Sequence, residues 1–273
     1  MTRRRSFNGG RLLMALVIAG FALFSYFGSK EYNPVLEEDQ YVGITPEQEI
    51  ALGLQAAPEM AAEFGGLHPD QQAQAFLDEV CRSVIANSDA GDAEWPYECS
   101  LLVDDQTINA FALPGGQVFL TLGLYNELQS EGQLAGVLAH EIGHAVARHS
   151  AQQIAREQLP QGLTGAVIIA SYAPQNPNSM ATSQIAAVVG QLLTMRYSRE
   201  HELQADRLGV RFMSQAGYDP RSLIEVMRIL EATGGATPPE FFSTHPNPEN
   251  RIAAIEEAIA QEFPNGVPDG LIK

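Results

Sequence analysis

Five consecutive residues, His140-Glu141-Ile142-Gly143-His144, have the types and spacing that bind a metal ion and activate water. On a helix, positions four apart lie one above the other, so both imidazoles reach a single ion while Glu141, one step round, holds the water beside it. Zinc suits this arrangement, and hydrolysis is the chemistry it supports. Two imidazoles do not complete a catalytic zinc site, which takes a third protein ligand and keeps a fourth position open. In the longer motif H-E-x-x-H-x-x-G-x-x-H a downstream His completes the set, but here Ala147 stands at the glycine place and Ser150 at the histidine place. His149 is one residue out of that register, and without a glycine turn a continuing helix carries it away, leaving it a solvated or capping role. Glu202 is the stronger candidate. It lies in Ser198-Arg199-Glu200-His201-Glu202-Leu203-Gln204-Ala205-Asp206, where Glu202 and Asp206 are i and i+4 on one helical face. One carboxylate then faces the metal and the other accepts a ring N–H from a ligating His. Glu200 lies about 200° round the helix from Glu202 and points elsewhere, and His201 is expected to be exposed or hydrogen-bonded nearby.

The surrounding sequence supplies elements to hold these groups. Ser130 and Gln133 form a capping-box pattern, and Leu134, Val137, Leu138 and Ala145 keep helical spacing through the motif, so the motif belongs on a buried helix. Thr45, Pro46 and Gln48 start a helix expected to run to Phe64, where Gly65-Gly66 ends it. A second helix is expected from Pro69 to about Asn87, and further ones from Ser198 to Ala216, Asp219-Pro220 to Gly234, and Asn247-Pro248 to about Phe263. Between Trp95 and Thr121, short runs of β-formers broken by Asp104-Asp105 and Pro114-Gly115-Gly116 predict a small antiparallel sheet. Its strand Gln117 to Thr121 reads as an edge on which an extended peptide pairs through its backbone. Apolar segments 162–173 and 185–195 are far below spanning length and read as core helices.

The charge is −17 overall but unevenly placed: Arg3, Arg4, Arg5, Arg11 and Lys30 precede every acid, leaving 11 basic against 33 acidic residues beyond them. So acidic a body repels phosphate backbones, which argues against nucleic acid as a partner. Leu12 to Phe27 is an almost unbroken apolar run behind the arginines, read as a membrane anchor or export signal. Phe24, Tyr26 and Phe27 crowd the small-x-small cleavage pattern, so an uncleaved single-pass anchor is expected; secretion to the periplasm after cleavage is the alternative. The positive-inside rule keeps the arginines cytoplasmic and places the body on the extracytoplasmic side. Residues 1–30 are thus the anchor, 31–44 a polar linker, 45–263 the folded domain and 264–273 a tail. Cys81 and Cys99 stand either as one disulfide or as two buried thiols.

Four blocks in order carry a resemblance: Asn109-Ala110-Phe111-Ala112-Leu113-Pro114-Gly115-Gly116; His140 to His144; Glu202-Leu203-Gln204-Ala205-Asp206; and Ser243-Thr244-His245-Pro246 with Arg251 six residues after the His. Over roughly residues 45–262 the chain resembles the M48 family of zinc metallopeptidases, in its periplasmic branch related to mitochondrial inner-membrane members. The resemblance implies an α+β, mainly helical zincin-type domain and one Zn²⁺ per chain held by His140, His144 and Glu202. It implies Glu141 as the catalytic carboxylate and a functional Asp206, described in the family as a proton donor. It also implies that His245 approaches the zinc, as a removable fourth ligand or a transition-state donor; for Arg251 a structural ion pair and a catalytic role both stand. The expected activity is hydrolysis of peptide bonds in misfolded or membrane-associated proteins, the expected partners being polypeptide substrates and the membrane. A catalytically silent chaperone or binding module of the same fold is the alternative, which the full set of metal and base residues disfavours.

Overall fold

The computed structural model describes residues 27–93, 95–161, 192, 195–233, 239–246 and 250–273. The N-terminal apolar run as far as residue 26 lies outside them, as do the segments expected as core helices, 162–173 and 185–195, except at 192 and 195. No helix of the described residues is long and apolar enough to cross a membrane.

Residues 31–44, expected as a linker, fold against the body instead. Strands β1 (Lys30–Asn33) and β2 (Glu38–Tyr41) form an antiparallel hairpin with Asn33 opposite Glu38. The reason lies 113 and 107 residues away, where Asn33 Nδ2 and Gln40 Nε2 donate to the Val146 and Ala147 carbonyls, each at 2.8 Å. A helix end leaves such carbonyls without intrahelical partners, and the hairpin satisfies two of them. Helix α1 (Pro46–Glu63) begins with the Thr45–Gln48 capping box and Pro46 in its first turn, and Gly65 follows its end at φ 82°. Asp70 caps α2 (Gln71–Ala86).

The three-stranded sheet differs from the expected antiparallel one. Strands β3 (Glu98–Leu102), β4 (Ala110–Ala112) and β5 (Gln117–Thr121) lie in the order β3-β5-β4, with β5 parallel to β3 and antiparallel to β4. The tight Pro114-Gly115-Gly116 turn makes β4 and β5 a hairpin, and the longer connection lets β3 reach β5's other side. Both flanks of β5 are therefore taken, and it is not an edge; the edge positions fall to β3 and β4. A disulfide between Cys81 and Cys99 ties α2 to β3.

After the short α3 (Leu122–Glu127), helix α4 (Glu131–Val146) runs through the middle of the domain, buried from Gly132 to Val146. Ser130 accepts from the Gln133 N–H, while the Gln133 side chain accepts from Gln129 rather than Ser130, so the capping box is offset by one residue. Around α4 pack α2, α6 (Arg199–Gln215) and α7 (Arg221–Thr233), with α5 (His149–Gln161), α8 (Phe241–Thr244) and α9 (Arg251–Glu262) completing the helical layer. The crossing of α4 and α6 is close because it is made of small residues: a Cβ on Gly143 would lie 3.1 Å from the Ala205 carbonyl oxygen and 3.3 Å from Leu208 Cβ. Residues 264–273, expected as a tail, dock through reciprocal backbone bonds: Asp219 N to Ile272 O at 2.7 Å and Ile272 N to Gly217 O at 3.0 Å. The architecture is α+β, mainly helical, with two small sheets.

Candidate metal centre

The close α4–α6 crossing sets Glu202 of α6 against both imidazoles of α4. His140 Nε2 and His144 Nε2 lie 3.1 Å apart, and the Glu202 oxygens lie 3.6 and 3.5 Å from them. His245, at the end of α8, brings Nδ1 to 3.2 Å from Glu202 Oε1 and Nε2 to 3.7 Å from Glu141 Oε1. One atom each of His140, His144, Glu202 and His245 falls within 4.8 Å of the other three, and all four side chains are buried. Phe241 stacks on the His245 ring at 4.4 Å and Tyr197 on the His144 ring at 4.0 Å, walls that neither motif nor spacing revealed. Glu200, two residues before Glu202 and on the other side of the helix, is exposed.

Behind this cluster lies a buried ionic layer. Asp206 Oδ1 is 2.9 Å from His140 Nδ1, and Arg251 clamps Asp206 through Nε and Nη2 at 2.7 and 2.9 Å while its Nη1 sits 3.2 Å from Glu202. Burial opposes ionisation of Asp206 and Glu202, but Arg251 holds the first below the carboxylate range and His245 and His140 hold the second well below it. Burial likewise opposes charging His140, yet the Asp206 and Glu202 carboxylates lift its ring to about 9. Glu141 is pushed up by burial, the direction that suits a proton acceptor working near neutral pH.

The residues fit a divalent cation. Three buried acidic side chains, Glu141, Glu202 and Asp206, gather round the two imidazoles with Arg251 as the one permanent cation, and a divalent cation would take the place of the proton that Asp206 and Glu202 draw onto His140. Both oxygens of Glu141 and of Glu202 and both ring nitrogens of His245 are buried without a hydrogen-bond partner. Buried polar atoms are rarely left so, and a cation among two imidazoles and a carboxylate satisfies the donor set that zinc takes.

Comparison with known proteins decides the family. The model of peptidase family M48 matches residues 71–259. The chain belongs to peptidase family M48. Among similar proteins, the mitochondrial metalloendopeptidase OMA1 of Schizosaccharomyces pombe is 32% identical over 256 residues, covering 91% of this chain and 72% of that protein. The beta-barrel assembly-enhancing protease of Escherichia coli is 33% identical over 184 residues, covering 65% of this chain and 37% of its own length. The mitochondrial metalloendopeptidase OMA1 of Bos taurus is 35% identical over 167 residues, 59% of this chain and 32% of that protein. This M48 chain is thus a zinc metallopeptidase that spans about a third to a half of the length of the bacterial relatives it matches.

Two histidines of the M48 chain sit where the sequence did not place them. His149, expected solvated or capping, is fully buried with Nδ1 2.9 Å from His144 Nδ1. Arg148, at φ 56°, turns the chain back after α4 in glycine's stead, fixed there by Glu31, Glu49 and the Ile44 carbonyl. His201 is buried too, stacked on His149 at 4.2 Å, rather than exposed. Burial pushes the first ring down to about 3 and the second to about 4, so both stay neutral.

Beside the centre, a cavity of about 190 Å³ is lined by Met60, Phe111, Leu113, Leu192, Met195 and His245 among others. Asn109 borders it with a buried Oδ1 that lacks a hydrogen-bond partner.

Proposed function

We propose that this M48 chain is a metalloendopeptidase that hydrolyses peptide bonds of unfolded or membrane-associated polypeptides, with His140, His144 and Glu202 as zinc ligands. The convergence of four buried donor side chains within 4.8 Å, beside a buried Glu141 with no hydrogen-bond partner, carries this reading. Bound zinc supplies Lewis acidity and a water of pKa about 7. Glu141 takes the proton of the attacking water and passes it to the departing amine, general base and then general acid. His245, with Nε2 3.7 Å from Glu141 and Nδ1 3.2 Å from Glu202, would either help hold the metal or donate to the oxyanion that forms beside Glu141. Asp206 accepts the His140 Nδ1 proton and keeps Nε2 bare for the metal, and Arg251 holds Asp206 ionised.

Substrate lies along β4. The Asn109 carbonyl accepts from Thr121 N and Leu113 N donates to the Gln117 carbonyl, so in this register Ala110 and Ala112 turn their amides to the open edge beside the cavity. An extended peptide added there is bound through its backbone, with one apolar side chain entering the cavity and a substrate N–H reaching Asn109 Oδ1. Recognition by backbone and one apolar pocket favours unfolded chains, consistent with protein quality control. The N-terminal apolar run anchors the domain on the extracytoplasmic side of a membrane, and the Cys81–Cys99 disulfide suits such an oxidising compartment.

The test is casein digestion by the full chain with and without chelator. Glu141→Gln is expected to lose about 10²–10⁴-fold in kcat/KM while keeping its zinc; undiminished cleavage refutes the mechanism. Zinc content is expected to collapse in Glu202→Ala and persist in Glu200→Ala, and the opposite pattern overturns the ligand choice.

A further inference from the structure

We infer that His149 and Gln204 form a positioning pair that fixes the ring and tautomer of His144, with Glu38 of the N-terminal hairpin orienting Gln204. The inference rests on the metal-centre reading above and assigns a task to two residues that the M48 motifs leave without one.

Three contacts form one line from the surface to the centre. Glu38 Oε1 lies 2.7 Å from Gln204 Nε2, Gln204 Oε1 lies 2.8 Å from His149 Nε2, and His149 Nδ1 lies 2.9 Å from His144 Nδ1. Each link dictates the next. An ionised carboxylate only accepts, so the amide nitrogen of Gln204 faces Glu38 and its oxygen faces His149. An amide oxygen also only accepts, so His149 carries its proton on Nε2. A fully buried ring whose hydrogen-bond partners are an amide and another imidazole stays neutral, which leaves Nδ1 as a bare acceptor. His144 must therefore donate from Nδ1, and its Nε2, the atom that faces His140 and Glu202, is left with its lone pair free. A metal ligand needs that tautomer, and a partner on the far nitrogen is what secures it.

The geometry depends on the Arg148 turn. Had α4 continued as a helix, residue 149 would stand about 140° round from residue 144. The positive φ at Arg148 starts α5 on a new axis and returns His149 to the His144 ring. Gln204 reaches it because it lies on α6 between Glu202 and Asp206, so one helix serves the metal and the far sides of both imidazoles.

Chelator-competition titration of the full chain, solubilised in detergent, measures the zinc dissociation constant, and the visible bands of the cobalt-substituted protein report ligand geometry. Gln204→Leu and His149→Phe are each expected to weaken zinc about 10–100-fold and shift the cobalt bands. The exchanged pair Glu38→Gln with Gln204→Glu returns an acceptor oxygen to His149 and is expected to bind zinc at least as tightly as the parent. Parental affinity in a folded Gln204→Leu, or weak binding in the exchanged pair, overturns the inference. Failure of the underlying reading looks different: the parent then takes up no zinc, or His144→Ala keeps it. Gln204 is only partly buried, so its variants remain informative even if His149→Phe does not fold.

Discussion

The two imidazoles of the motif, equivalent in the sequence pattern, are held by opposite kinds of surroundings. On the His140 side the far nitrogen meets Asp206, itself clamped by Arg251, an ionic layer built from α6 and α9 and sealed in the core. On the His144 side the far nitrogen meets neutral His149 and Gln204, a line that leaves the core and ends at the exposed Glu38 of the hairpin. The ionic side is paid for in desolvation and depends on every charge being matched. The neutral side costs little to bury, but it depends on a hairpin more than a hundred residues earlier in the chain. A disturbance of that hairpin therefore reaches one metal-facing ring and not the other.

The comparison breaks most visibly where charge is removed. Arg251→Met leaves Asp206 and Glu202 buried without their cation, and urea unfolding is expected to show a loss of about 3–5 kcal/mol. A loss below about 1 kcal/mol would mean that the ionic side is no more demanding than the neutral one. A middle effect is expected at the root of the neutral side. Asn33→Ala strips a partner from the buried Val146 carbonyl and from the turn amides of Val35 and Leu36, for about 1–3 kcal/mol by the same measurement. A third effect appears only as a dependence on pH. Burial lifts the Glu49 carboxyl to about 7 against the pull of Arg148. A group raised on folding stabilises fully below its unfolded value near 4.5 and gives that stability up as the pH rises through about 7. Melting of Glu49→Gln, followed from pH 4.5 to 8, is expected to lack that part of the parent's decline; an unchanged slope would show that the Arg148 turn is insensitive to this charge.

Local chemistry was legible where it rests on neighbours in sequence. Thr45, Pro46 and Gln48 start α1, Ser198 caps α6, and the four-residue spacings put His140 with His144 and Glu202 with Asp206 on shared faces. Features resting on distant partners were not legible. Residues 31–44 look like a linker because nothing in Lys30–Asn33 or Glu38–Tyr41 alternates apolar and polar; the hairpin forms because Asn33 and Gln40 find the carbonyls at the end of α4. The parallel β3–β5 pairing was hidden because strand order is settled by packing against α2, not by the short runs themselves. His149 was misplaced because a turn without glycine was not foreseen; Glu31 and Glu49, 117 and 99 residues away, hold Arg148 in it.

By itself, the sequence determined the class of chemistry and the candidate residues for it, because metal-ligand spacing on a helix is a property of 3.6 residues per turn and needs no knowledge of the rest of the chain. The tertiary structure alone decided which groups stand behind each imidazole: Asp206 and Arg251 for His140, His149 and Gln204 for His144. Those groups belong to α5, α6 and α9, and which side of a helix another element covers is fixed by close packing and the pairing of buried polar groups, terms that exist only once the chain is compact.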